Sequence, residues 1–308
     1  MLVLAGVDIG GSSVKFGLVA EGSAVVAKGT LPVQKDDPIT TLQTVSDGLK
    51  ALAAKNDGEL IAVGIAVPGP LDAERTSLLS LPNLPAWNGF PIHTEATRVF
   101  GIPTAVENDA NAAAVAEAIA GAARGSHLML MVTLGTGVGG GIVHQGHLIS
   151  GAFGAAGEFG HISIAGSDVP CACGKTGCLE ALANERALVA DYQRIGGAVP
   201  ETGAMRHIVN ACQSGEHRAV EVFRRAGDNI GIMLGGLCSA LDPDYIVVGG
   251  GIANAGAPLF EAIKASTNRN TMPALRGKVK VVPASLGNDA GFIGAALIAG
   301  TKVGVLFA

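Results

Sequence analysis

The apolar positions of this chain fall into short blocks that glycine punctuates. LVLAGVDIG and VKFGLVA, separated by Gly-Ser-Ser, predict two strands joined by a tight turn, and SAVVAKGTLPV predicts a third. A helix is expected over 38–55, then a buried strand at Leu60–Val67 that Pro68-Gly69-Pro70 closes. Residues 71–91 read as a Pro- and Asn-rich loop, Ile92–Phe100 as a helix, Pro103–Glu107 as a short strand and Ala110–Ala123 as an Ala-rich helix. Strands at 128–134 and 138–144 come next, followed by a Gly/Ala loop, a cysteine cluster and helices across about 178–240. The C-terminal part reads as a strand (Tyr245–Val248), a helix near 257–269, a strand at 279–282 and a final helix near 289–300. Nearly continuous apolar strands alternating with helices predict an α/β fold whose sheets are covered by helices.

One plan occurs twice. VDIGGSSVKFGLV (7–19) and VTLGTGVGGGIV (132–143) are both apolar strand, Gly-rich turn and apolar strand. Two halves of related architecture would produce this pattern. So would two independent hairpins in a chain with 45 glycines.

Composition narrows the class. Hydrophobic residues make up 48% of the 308 and charged residues 15%, which excludes a solvated, disordered chain. The net charge of −5 and the lack of a basic run argue against a nucleic-acid partner. Mean hydropathy is +0.42, and no Asp, Glu, Lys or Arg lies between Arg124 and Glu158. Five glycines within 135–141 and three histidines interrupt that run, so two buried strands are expected there rather than a membrane span. MLVLAGVDIGG lacks a basic n-region, and a soluble cytoplasmic protein is the expectation.

Three glycine clusters end strands. Gly10 and Gly11 lead into Ser12, Ser13 and Lys15. Gly135-Thr136-Gly137 forms a second turn, and Gly249-Gly250-Gly251 ends YIVV. Glycine turns let backbone N–H groups approach phosphate oxygens, and Asp8 before the first turn could hold Mg²⁺. GTGVGG continues as a strand, which does not fit a dinucleotide fingerprint, and no GxxxxGK[ST] is present. Plain hairpin turns are the competing reading. Asn108 and Asp109 stand where a strand meets a helix, where either residue type serves as an N-cap. Alternatively, Asp109 accepts the proton of an attacking hydroxyl while Asn108 orients the acceptor. Cys171, Cys173 and Cys178 with His161 compose a Cys₃His tetrahedral zinc set, favoured here over a disulfide framework; Cys212 and Cys238 read as core residues.

Taken together, these motifs resemble the ROK sugar kinases of the actin/hexokinase-like ATPase superfamily. DIGGSSVK (8–15) resembles the family's first phosphate motif, LPNLPAWNG (81–89) its sugar loop, END (107–109) its catalytic segment and LGTGVGGG (134–141) its second phosphate motif. GEFGH (157–161) with CACGKTGCLE (171–180) is similar to its zinc signature, and VVGGG (247–251) to its adenosine segment. The resemblance implies a two-lobed actin-like (ribonuclease H-like) fold with mixed sheets flanked by helices and a zinc-binding loop. It places a small domain at 1–108 plus a C-terminal helix at 291–308, and a large domain at 109–290. Asp109 would be the general base, with Asn83, Asn108, Glu158, His161 and Glu180 bonding sugar hydroxyls. Asp8, Gly10, Gly11, Ser12, Lys15, Gly135, Thr136, Gly137, Gly250 and Gly251 would hold Mg²⁺ and ATP. His161 would bind structural Zn²⁺ through one ring nitrogen and the sugar through the other.

The implied reaction is ATP-dependent phosphorylation of a hexose, glucose to glucose 6-phosphate in the first instance. N-acetylglucosamine, N-acetylmannosamine and fructose are alternatives, and some family members accept polyphosphate. The family suggests a homodimer or a tetramer. A sugar-responsive regulator is disfavoured because the DIGG strand starts at residue 2, and a silent sugar-binding scaffold would not need Asp8, Asp109 and both phosphate turns.

Overall fold

A computed structural model of the chain describes residues 1–81 and 83–305. Pro82 of the sugar-loop motif and residues 306–308 of the expected first domain lie outside the described residues. The chain divides into two compact units. The first comprises Met1–Gly125, Gly141–Ala156 and the segment from Ser285 onward; the second comprises Ser126–Gly140 and Gly157–Ala284.

The first unit holds strands β1 (Leu2–Ile9), β2 (Ser13–Val19), β3 (Val25–Pro32), β4 (Glu59–Val67) and β5 (Thr104–Asn108) in the order β3-β2-β1-β4-β5. The β1–β2 and β2–β3 pairs are antiparallel, while β1–β4 and β4–β5 are parallel, giving the expected mixed sheet. Alternation along β1 sends Val3, Ala5, Val7 and Ile9 into a core shared with helices α1 (Pro38–Lys55) and α2 (Ile92–Phe100). Trp87, from the 71–91 segment, is fully buried in that core.

Helices α3 (Asp109–Ile119) and α9 (Ala290–Lys302) also belong to this unit. Glycine permits α9 to lie directly on the strands. A Cβ on Gly6 would stand 1.8 Å from the Phe292 carbonyl oxygen, and one on Gly64 would stand 1.7 Å from that of Ala295. Helices α3 and α9 approach as closely at Gly294, whose Cβ would meet the Ala112 carbonyl oxygen at 1.7 Å. This packing draws α3 into the first unit. Helix α3 also ends four residues before the expected Ala123. The buried Glu117 carboxylate accepts the Ala122 N–H at 2.7 Å and curls the chain back at Gly121.

Strands β6 (Leu128–Leu134), β7 (Val138–His144), β8 (His147–Leu148), β9 (Tyr245–Gly249) and β10 (Lys280–Pro283) form a second sheet, ordered β10-β9-β6-β7-β8, and the unit boundary falls inside β7. The second unit carries α4 (Glu180–Ala183), α5 (Glu185–Arg194), α6 (Ala204–Gln213), α7 (His217–Leu241) and α8 (Ala257–Asn270). Gly227, Gly231 and Gly235, one helical turn apart, let α7 press against Ala262, Ser266 and Asn270 of α8. Cys212 and Cys238 are buried, as expected of core residues. No helix among the described residues is long and apolar enough to cross a membrane.

Candidate active site

In the first unit the parallel strands β1, β4 and β5 end side by side, the usual place for a ligand in such sheets. Register puts Asp8 beside Ala66, and Ala66 beside Glu107, so Asp8 and the END segment share one end of the sheet. Capping of α3 falls to Asn108. Its Oδ1 accepts the N–H groups of Ala110 (2.9 Å) and Asn111 (3.3 Å), and its Nδ2 donates to the Gly69 carbonyl at 3.2 Å. Asp109 takes the first helical position, where Oδ1 accepts the Ala110 N–H at 2.8 Å. Its side chain is half-buried. Burial first, and the charge of Asp8 second, push its pKa up to about 6, against the hydrogen bonds from Ala110 and Asn108.

Burial also raises Asp8, opposed by the Lys15 ammonium 3.9 Å away. The first turn of α9 leaves no room beside it, since a Cβ on Gly291 would come within 2.7 Å of Asp8 Oδ2. The first glycine turn closes through Gly10 N–H to the Ser13 carbonyl at 2.9 Å, and Asn83 lies beside Gly11. Lys15 Nζ also reaches the Asn288 carbonyl at 3.4 Å.

In the second unit the other two glycine clusters are neighbours. Gly135 N–H donates to the Gly137 carbonyl at 3.0 Å, closing the turn around Thr136. Gly250, at φ +88°, lies so close to this strand that a Cβ would sit 2.2 Å from the Leu134 carbonyl oxygen; Gly251 follows in open space. Only glycine fits that approach. Glu180 Oε2 accepts the Val138 N–H at 3.0 Å, so this carboxylate stands at the second glycine turn.

The four expected ligands lie together as a group that could hold a metal ion. One potential ligand atom each from His161, Cys171, Cys173 and Cys178 lie within 4.8 Å of one another. Cys173 and Cys178 Sγ are 3.6 Å apart, and Cys171 Sγ is 3.9 Å from His161 Nδ1. Zinc–sulfur bonds of about 2.3 Å at tetrahedral angles require sulfurs roughly 3.8 Å apart, so the donors fit zinc in kind and spacing. The other ring nitrogen, Nε2, lies 4.0 Å from Glu158 Oε2. Lys175 braces the loop by donating to the His161 carbonyl at 2.9 Å.

Comparison with known proteins places this architecture. The ROK family model matches residues 4–302. The chain belongs to the ROK family. It is 34% identical to the glucokinase of Halalkalibacterium halodurans over 94% of this chain and 92% of that one. It is 30% identical to the N-acetyl-D-glucosamine kinase of Vibrio vulnificus over 95% and 98%. Among solved structures, the ROK hexokinase of Thermus thermophilus superposes with a TM-score of 0.87 at 33% identity, covering 98% and 99% of the two chains. The ROK glucokinase of Streptomyces griseus, in complex with glucose and AMPPNP, gives 0.78 at 34% identity, covering 97% and 99%. The mixed two-sheet fold is therefore the actin-like ATPase fold of ROK sugar kinases, as the motifs implied.

Within this ROK chain, three charged groups behind the expected site residues were not singled out from sequence. Glu107 is buried and pairs with Arg75. Glu117 is fully buried; it accepts the N–H groups of Ser285 (2.9 Å) and Leu286 (2.8 Å) as well as that of Ala122, tying the segment before α9 to α3. The two glutamates had a signal, as carboxylates in the apolar segments TAVEN and AAAVAEAIAG, where an unpaired charge would be costly; Arg75, in the 71–91 loop, had none.

Proposed function

We propose that this chain, an ATP-dependent sugar kinase of the ROK family, transfers the γ-phosphoryl group of ATP to the 6-hydroxyl of glucose, with Asp109 as general base. The observation that carries the reading is the Asp109 carboxylate, half-buried at the first position of α3 near Asp8 with a pKa of about 6. Such a group is ionised at neutral pH yet basic enough to accept the proton of the attacking hydroxyl. Asp8 and the first glycine turn would hold Mg²⁺ and phosphate oxygens, with Lys15 adding a positive charge. Mg²⁺ would neutralise the charge that develops on the transferred phosphoryl group. The Gly135–Gly137 turn and Gly250-Gly251 would bind the nucleotide.

Asn83, Asn108, Glu158, His161 and Glu180 would recognise the sugar hydroxyls. For His161 the orientation supports two roles, because Nδ1 faces Cys171 Sγ and Nε2 faces Glu158. Zinc there would hold the 158–180 segment in shape rather than take part in the reaction.

A coupled ADP-release assay over glucose, N-acetylglucosamine, N-acetylmannosamine and fructose tests the substrate. The highest kcat/KM is expected with glucose. A higher value for another sugar overturns glucose alone, while no turnover with any of them overturns the kinase reading.

A further inference from the structure

The geometry points to Arg75 and Glu107 as positioning residues that set the catalytic segment from behind. Resting on the reading of Asp109 as base, this assigns a task to two charges that reach neither sugar nor nucleotide in the scheme above. Glu107 is the last residue of β5 before Asn108, and its carboxylate turns back under the start of α3. Its Oε1 accepts the Asn108 N–H at 2.9 Å and the Asn111 Nδ2–H at 3.0 Å. Asp109 is thus flanked by two residues held by one oxygen, so the turn from strand to helix has little freedom. Asn111 is itself buried.

That carboxylate is in turn fixed by Arg75. The guanidinium Nε lies 3.0 Å from Oε1 and 3.1 Å from Oε2, and Nη2 donates to the Gly154 carbonyl at 3.0 Å. Arg75 is held in place at some backbone cost. Its φ is +59°, a region that side-chain-bearing residues rarely adopt, in a turn that Asp72 pins through the N–H groups of Thr76 and Ser77. The loop is fitted to the guanidinium as well. Gly154 has φ +73°, and a Cβ on it would come within 2.5 Å of Arg75 Nη1. The ion pair is largely shielded, with side-chain exposures of 14% and 7%, so removing one partner leaves a buried charge unanswered. Three separate segments, the 72–77 turn, the end of β5 and the 150–156 loop, therefore meet on one pair behind Asp109.

The general base acts only in the transition state, so its displacement lowers kcat more than it alters ground-state binding. The test is a double-mutant cycle of Glu107→Gln, Arg75→Met and the double variant. Each is checked for one sugar bound per chain before kinetics, with Arg75→Lys as the conservative variant. Each single variant is expected to lose about 10- to 100-fold in kcat while sugar KM moves less than about threefold. The double variant should fall no further than the worse single one, because both act through one contact. Arg75→Lys should recover part of the loss. If Arg75→Met does not bind sugar, Arg75→Lys takes its place in the cycle. Single variants that bind sugar and keep kcat within twofold, or losses that multiply in the double variant, overturn the assignment. Asp109→Asn, run alongside, separates the two readings. If it keeps turnover, the base reading falls; if it is inactive while the Glu107 and Arg75 variants are unaffected, only the positioning role falls.

Discussion

Replacing Asp109 by Asn should make the protein more stable at pH 8 and much less so at acid pH. The folded carboxyl holds its proton up to about pH 6, whereas an ordinary Asp in the unfolded chain releases it near 3.8. The folded pKa is raised, so the proton stabilises the fold at low pH, and that stability is lost as pH rises through about 6. A shift of about two pKa units corresponds to roughly 3 kcal/mol at 1.36 kcal/mol per unit. Residual exposure of the side chain screens this to about 1–3 kcal/mol. Asn keeps the oxygen that accepts the Ala110 N–H and carries no charge to bury. Urea midpoints of both proteins at pH 8 and pH 4.5 provide the assay. The variant should gain stability at pH 8, and at pH 4.5 the gain should shrink to about a third, because the folded carboxyl is then protonated and only the proton uptake from a largely ionised unfolded carboxyl still opposes folding. Equal midpoints at pH 8, or a gain independent of pH, would refute the claim that this carboxylate is held ionised against burial.

Three further outcomes test the scaffold and the zinc cluster. Gly64→Ala puts a Cβ within 1.7 Å of the Ala295 carbonyl oxygen and must lift α9 off the sheet, at a cost expected to exceed about 3 kcal/mol in thermal melting. Gly236→Ala, in helix α7 with open space around it, should be neutral or slightly stabilising in the same melt. Elemental analysis should find one zinc per chain, and a chelator at neutral pH should lower the melting temperature; Cys178→Ser protein that still retains one zinc would contradict the Cys₃His assignment.

Sequence revealed most where partners are close along the chain. The strand–turn–strand openings follow from apolar blocks around Gly10 and Gly135, and the Cys₃His set spans only His161 to Cys178, so chemistry and spacing could be read together. Helix α1 was legible because Asp37 supplies a cap and Pro38 a first position. What stayed hidden depends on distant contacts. Arg75 meets Glu107 across 32 residues, and Ser285 meets Glu117 across 168. The end of α3 is set by that same Glu117, so an Ala-rich pattern alone overran it. Asp109 was ambiguous from sequence between cap and base. The structure assigns the cap to Asn108, and burial raises the pKa of Asp109 itself.

Whether Asp109 moves the proton in a phosphoryl transfer to sugar is decided by one comparison. Glucose-dependent ADP release and glucose binding are measured together for the native protein and for Asp109→Asn at pH 8. Glucose binding is expected within a few-fold of native, with turnover reduced by about 10² to 10⁴. Turnover within tenfold of native in a variant that binds glucose normally would contradict it.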